Sequence, residues 1–227
     1  MSLVSMDGSA LSPKPASSVP SVPSIPGFPL PARPDFLANL LRRNKAWASL
    51  TAIESPHLLP ALATGQTPEI LWIGCSDSRC PETTLLHLLP GDIFVERNIA
   101  NIINPADTSG QAVIEYAVVQ LRVRHIIVCG HKDCGGAKAV LTGGHLSPTL
   151  DAWLQPLKAV RDANRTALNP LPLPDAAVEL AKMNVHAGVA ALRAMPIVAD
   201  ARRTRGLKVH GLLYDVSDGT LEEMPTA

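Results

Sequence analysis

The chain has 227 residues, 20 Lys+Arg against 20 Asp+Glu, 46% apolar residues and 4% aromatics. A formal charge of zero argues against a nucleic-acid or anionic-membrane partner, since both need a basic excess, and no run of about 18 apolar residues is available to span a bilayer. The length can bury a full core in one domain, while four cysteines are too few for a disulfide framework and suit metal ligation or thiol chemistry in a reducing compartment.

Residues 1–34 hold eight of the 21 prolines, interleaved with serine. This segment lacks helix or strand periodicity and is expected to be a flexible or polyproline-like tail. It has no basic stretch followed by an apolar one, so it does not read as a secretory signal. Its only cations are Lys14 and Arg33, which favours a solvated cytoplasmic tail over a mitochondrial presequence. The folded domain is expected over 35–227.

Residues 35–50 carry apolar residues at helical spacing after Asp35, a candidate cap. The short apolar runs 70–74, 93–95 and 125–129 lack alternation, which predicts strands buried on both faces of a parallel sheet. Helical patterns follow at 109–121, 151–164 and 175–194. A last strand is expected near 207–216, before a turn at Asp218-Gly219. Strands alternating with helices predict an α/β fold with a mostly parallel sheet.

Chemistry in such folds collects at the carboxyl ends of the strands. Two loops are expected there, Gly74-Cys75-Ser76-Asp77-Ser78-Arg79-Cys80-Pro81 and Gly130-His131-Lys132-Asp133-Cys134-Gly135-Gly136. The His131-x-x-Cys134 spacing lets both side chains turn toward one ion. With Cys75 they would supply two thiolates and an imidazole, a set that suits zinc. Water or Asp77 could take a fourth position. Buried structural cysteines or thiol chemistry are the other readings at this point. Arg79 would hold Asp77 ionised and oriented. A cysteine phosphatase needs an Arg six residues after the Cys; here that residue is Pro81. The Cys-x-x-Cys of a dithiol oxidoreductase is absent.

Cys-Ser-Asp-Ser-Arg at 75–79, Arg-Asn-Ile-Ala-Asn at 97–101, Glu-Tyr-Ala-Val at 115–118 and Gly-His-x-x-Cys-Gly-Gly at 130–136 resemble the β-class carbonic anhydrases, as do His210-Gly211 and Tyr214-Asp215. The resemblance spans about residues 36–220. It implies a zinc site at Cys75, His131 and Cys134, a catalytic dyad of Asp77 and Arg79, and substrate contacts from Gln66, Phe94, Tyr116 and Gly135. It also implies a parallel sheet with an antiparallel edge strand, and a homodimer or dimer of dimers with active sites at the subunit interface.

The implied reaction is reversible hydration of CO2 to bicarbonate and a proton, by attack of zinc hydroxide on CO2. In the three-histidine carbonic anhydrases zinc lowers the pKa of its bound water to about 7. Carbonyl sulfide or carbon disulfide hydrolysis on the same site is the near alternative, and a non-catalytic zinc-stabilised protein the distant one. Trp72, Arg97 and Tyr214 match a bicarbonate pocket of family members that rest closed, with Asp77 as fourth ligand. No proton shuttle stands out: His57, His87, His125 and His145 read as surface or structural. Cys129 reads as buried and inert. Cys80 reads as an apolar filler or as a thiol open to oxidation.

Overall fold

The computed structural model describes residues 35–225; the tail expected over 1–34 lies outside the described residues. The chain divides into one unit ending at His57 and a second from Leu58 onward. In the first, α1 runs Phe36–Glu54. Asp35 precedes it but makes no side-chain capping bond, so the expected cap is corrected.

The second unit is built on a five-stranded sheet in the order β2-β1-β3-β4-β5. The strands are β1 Ile70–Cys75, β2 Ile93–Asn98, β3 His125–His131, β4 Lys208–Tyr214 and β5 Leu221–Met224. The first four are mutually parallel, and β5 returns antiparallel along the β4 edge. Around the sheet lie α2 (Leu58–Thr64), α3 (Glu82–Leu85), α4 (Thr108–Glu115), α5 (Gly135–Thr142), α6 (Pro148–Trp153), α7 (Gln155–Ala163), α8 (Arg165–Leu168), α9 (Leu173–Ala194) and α10 (Pro196–Arg205). Among the described residues no helix is long and apolar enough to cross a membrane.

Two of the three unalternating apolar runs, in β1 and β3, mark strands buried on both faces; the third, at 93–95, lies in β2 at the sheet edge and is only half-buried. Leu71, Ile73, Ile126, Val128, Val209 and Leu213 point into a core shared with Val185, Val189 and Leu192 of α9. Their strand neighbours Trp72, Cys129 and Tyr214 point the other way, into a second cluster with Cys80. Each fully buried aliphatic side chain contributes about 1.5–3 kcal/mol relative to exposure, so the register of β1 and β3 is fixed from both sides.

Asp107 caps α4, accepting from Ser109 N at 3.1 Å and Gly110 N at 3.2 Å. That helix then widens into a π-turn over Tyr116–Gln120. The single helix expected over 151–164 breaks at Leu154, because Pro156 cannot donate within a continuous helix. The helix α10 is not legible in apolar spacing. It starts at Pro196, ends at Gly206 with φ +73°, and carries Arg202, Arg203 and Arg205 in its last turn, where cations complement the helix dipole.

Candidate metal centre

β1 and β3 are hydrogen-bonded neighbours, and their carboxyl ends bring Cys75 and His131 side by side. Cys134 follows in the loop that opens α5. One donor atom from each of Cys75, His131 and Cys134 lies within 4.8 Å of the others, and all three residues are buried. His131 Nδ1 lies 2.9 Å from Lys132 O. A carbonyl only accepts, so Nδ1 donates to it and Nε2 is the nitrogen left for a ligand. Nε2 is buried and has no hydrogen-bond partner. An orphaned imidazole nitrogen beside two thiols fits a soft divalent metal.

The electrostatics favour a cation here. The hydrogen bond from Cys134 pulls the Cys75 thiol well below its ordinary pKa, against the cost of burial. The Cys134 thiol is pushed up, by Cys75 and then by burial, so the two thiols share a proton that a metal would displace. Burial alone would lower the His131 pKa, but the thiols of Cys75 and Cys80 raise it to about 10. The pocket attracts positive charge.

Asp77 stands beside this cluster, with Oδ2 3.9 Å from His131 Nε2. Arg79 grips it twice, Nε to Oδ1 at 2.9 Å and a terminal guanidinium nitrogen to Oδ2 at 2.7 Å. The Arg79 backbone N–H adds a third bond to Oδ1 at 2.9 Å. These contacts hold the Asp77 carboxyl well below the usual carboxylate range. Asp133, which the sequence reading passed over, anchors Arg79 from behind at 3.0 Å and pairs with Lys138. Its only signal was a place between two candidate ligands.

Arg97 lies one strand over. It donates to the carbonyls of Cys75 at 3.0 Å and Asp77 at 2.6 Å, and so braces the loop backbone. Trp72 and Tyr214 are both buried and belong to one apolar cluster with Cys80, while Arg97 stands on β2 beside Gly74. Two Arg97 N–H groups are taken by these main-chain oxygens, and its third nitrogen lies 3.8 Å from a Glu82 carboxylate oxygen.

The proposed substrate contacts divide. Gly135 opens α5 next to Cys134, and a Cβ built on it would meet nothing within 4 Å. Phe94 and Tyr116 stack with ring centroids 5.7 Å apart. Phe94 pairs with Leu71, four strand positions and about 13 Å before the level of Cys75. Gln66 precedes β1 altogether and is exposed. Within one chain, the strand direction keeps Gln66, Phe94 and Tyr116 away from the cluster.

Cys129 is buried, and burial pushes its thiol pKa up. Cys80 is buried in one cluster with Trp72, Cys129 and Tyr214. His125 bonds His210, while His87 and His145 are exposed.

The carbonic anhydrase family matches this chain over residues 70–221. This chain belongs to the β-class carbonic anhydrases. It is 45% identical over 191 residues to a carbonic anhydrase of Candida albicans, covering 83% of this chain and 68% of that one. A β-carbonic anhydrase of Aspergillus fumigatus superposes with a TM-score of 0.82 at 52% identity, over 84% of this chain and 91% of the other. A β-carbonic anhydrase of Sordaria macrospora, described as tetrameric, gives a TM-score of 0.81 at 48% identity, over 83% and 96%. As a β-carbonic anhydrase the chain is an enzyme with the family's parallel sheet and antiparallel edge strand, and its buried Cys-His-Cys group forms a candidate metal site.

Proposed function

We propose that this β-carbonic anhydrase interconverts carbon dioxide and bicarbonate on zinc held by Cys75, His131 and Cys134. The reading rests above all on Asp77, kept ionised by Arg79 and 3.9 Å from the orphaned His131 Nε2. Two thiolates and an imidazole suit zinc and leave one position open for chemistry. When bound, zinc supplies a Lewis acid that eases deprotonation of water near neutral pH, as known for the three-histidine carbonic anhydrases.

The chain's own groups do the rest. Asp77 can only accept a hydrogen bond while Arg79 keeps it ionised. It therefore orients a proton-bearing oxygen beside His131, with a lone pair aimed at the substrate carbon. Arg79, fixed by Asp133, prevents Asp77 from rotating or taking up a proton. Gly135 leaves room beside Cys134 for a small linear substrate.

A second copy of the chain completes the pocket in this reading. Tyr116 is 47% exposed and shares its π-turn with Val119, which is 45% exposed. A partner would cover both and receive Gln66, Phe94 and Tyr116 at its own cluster. The tetrameric relative from Sordaria macrospora supports a dimer of dimers. The four cysteines are free in the structure, in keeping with a reducing, cytoplasmic setting.

Parallel turnover assays of the zinc-loaded protein with CO2 and with carbonyl sulfide test the substrate. Turnover of CO2 at least a hundredfold above that of carbonyl sulfide is expected. The reverse preference would replace this reading with the hydrolase.

A further inference from the structure

The turn after β2 is strained: Ala100 has φ +64° and Asn101 φ +46°, and neither is glycine. Asn98 closes it at both ends, accepting from Ile102 N at 2.7 Å and donating to Ile102 O at 3.0 Å. Two side chains from distant helices hold the backbone between. Trp153 of α6 donates its indole N–H to Ile99 O at 2.9 Å. Asn184 of α9, buried on an otherwise apolar stripe with Leu180, Ala181, Val185 and Gly188, donates to Ala100 O at 2.8 Å.

The Ile99 carbonyl and the Ala100 N–H belong to one rigid peptide plane and point in opposite directions. Fixing the carbonyl on Trp153 therefore aims the N–H the other way. There it meets Cys75 Sγ at 3.4 Å. Asn184 fixes the next peptide plane, so the Ala100 N–H cannot swing out of line. A donor on the Ile99 carbonyl also polarises this peptide and strengthens its N–H.

We propose that Trp153 and Asn184 are positioning residues that aim the Ala100 amide at the Cys75 sulfur and so tune its thiolate as a metal ligand. An N–H on the sulfur lowers the energy of its lone pairs and holds it in place for binding. The proposal rests on the reading of Cys75 as a ligand.

The test uses full-length protein loaded with Co(II) or 113Cd. In wild type, a thiolate-to-cobalt charge-transfer band at one metal per chain is the signature of the Cys-His-Cys reading; its absence defeats that reading and leaves this one without a ligand. Given the band, selective 15N-alanine labelling of the 113Cd form should show scalar coupling between the metal and the Ala100 amide proton, with no variant needed. Trp153→Phe, which keeps an aromatic ring at a half-exposed site, should shift the band to lower energy and weaken metal binding about tenfold. Asn184→Ser should shift it the same way. No coupling at Ala100, or variants that lose thermal stability but keep the wild-type band and metal affinity, would overturn the proposal and leave Trp153 and Asn184 a structural role only.

Discussion

Arg79 meets Asp77 through two separate side-chain hydrogen bonds, one to each carboxylate oxygen. This geometry is specific to a guanidinium. It fixes both the charge and the rotation of Asp77, and a lysine at 79 would keep only the charge. Asp77→Asn should retain stoichiometric zinc and the native fold, because Asp77 is committed to Arg79 in the structure. CO2 hydration should fall by about 10²–10⁴-fold. Steady-state rates alongside metal analysis check this: an Asn variant with wild-type turnover would remove Asp77 from the chemistry.

Gly136 sits where α5 passes the strained turn. A Cβ built there would lie 2.9 Å from the Ala100 Cβ and 3.5 Å from Ile99. Gly136→Ala should therefore push on the turn and cost about 1–3 kcal/mol of stability. Urea unfolding of the metal-free protein measures it, and an unchanged midpoint would show that the turn yields freely.

His125 Nδ1 lies 3.1 Å from His210 Nε2, and His210 Nδ1 lies 3.1 Å from Glu223 Oε1. Burial lowers the His125 pKa, helped by His210 and Lys208 on β4 and by Arg124, with Glu69 opposing. An unfolded histidine takes up its proton near pH 6.5, before the folded one does. Stability is therefore intact above about pH 6.5 and declines as pH falls from there toward the lower folded value. His125→Gln should flatten the decline in urea midpoint between pH 7 and 5, whereas parallel curves for the two proteins would contradict the assignment.

A bicarbonate pocket at Trp72, Arg97 and Tyr214 would use the Arg97 N–H groups that the Cys75 and Asp77 carbonyls leave over. Inhibition by bicarbonate across about pH 6.5–9 in wild type, lost in Trp72→Phe, is the outcome such a pocket requires. Activity that is flat with pH and insensitive to bicarbonate in both proteins would leave Arg97 a brace of the loop.

Much of the centre was legible because its parts end strands. Cys75 and His131 close two apolar runs that become adjacent, and Cys134 is three residues further on. Asp77 and Arg79 are two residues apart and interact locally. Trp153 and Asn184 were not legible, since they act on backbone carbonyls 54 and 84 residues away. A lone Asn on an apolar helical stripe was the one available signal. The helix α10 was missed because charge and capping define it more than apolar spacing does. The separation of Phe94 from Cys75 is a matter of level along a parallel sheet, which residue spacing does not express.

The proposed reaction is zinc-dependent CO2 hydration at Cys75, His131 and Cys134. Stopped-flow hydration measured on matched zinc-loaded and chelator-stripped samples, with metal quantified in each, tests it most directly. Rates should rise in proportion to zinc, reach one zinc per chain, and fall to the buffer background when the metal is removed. One zinc per chain with no hydration above buffer would contradict the account.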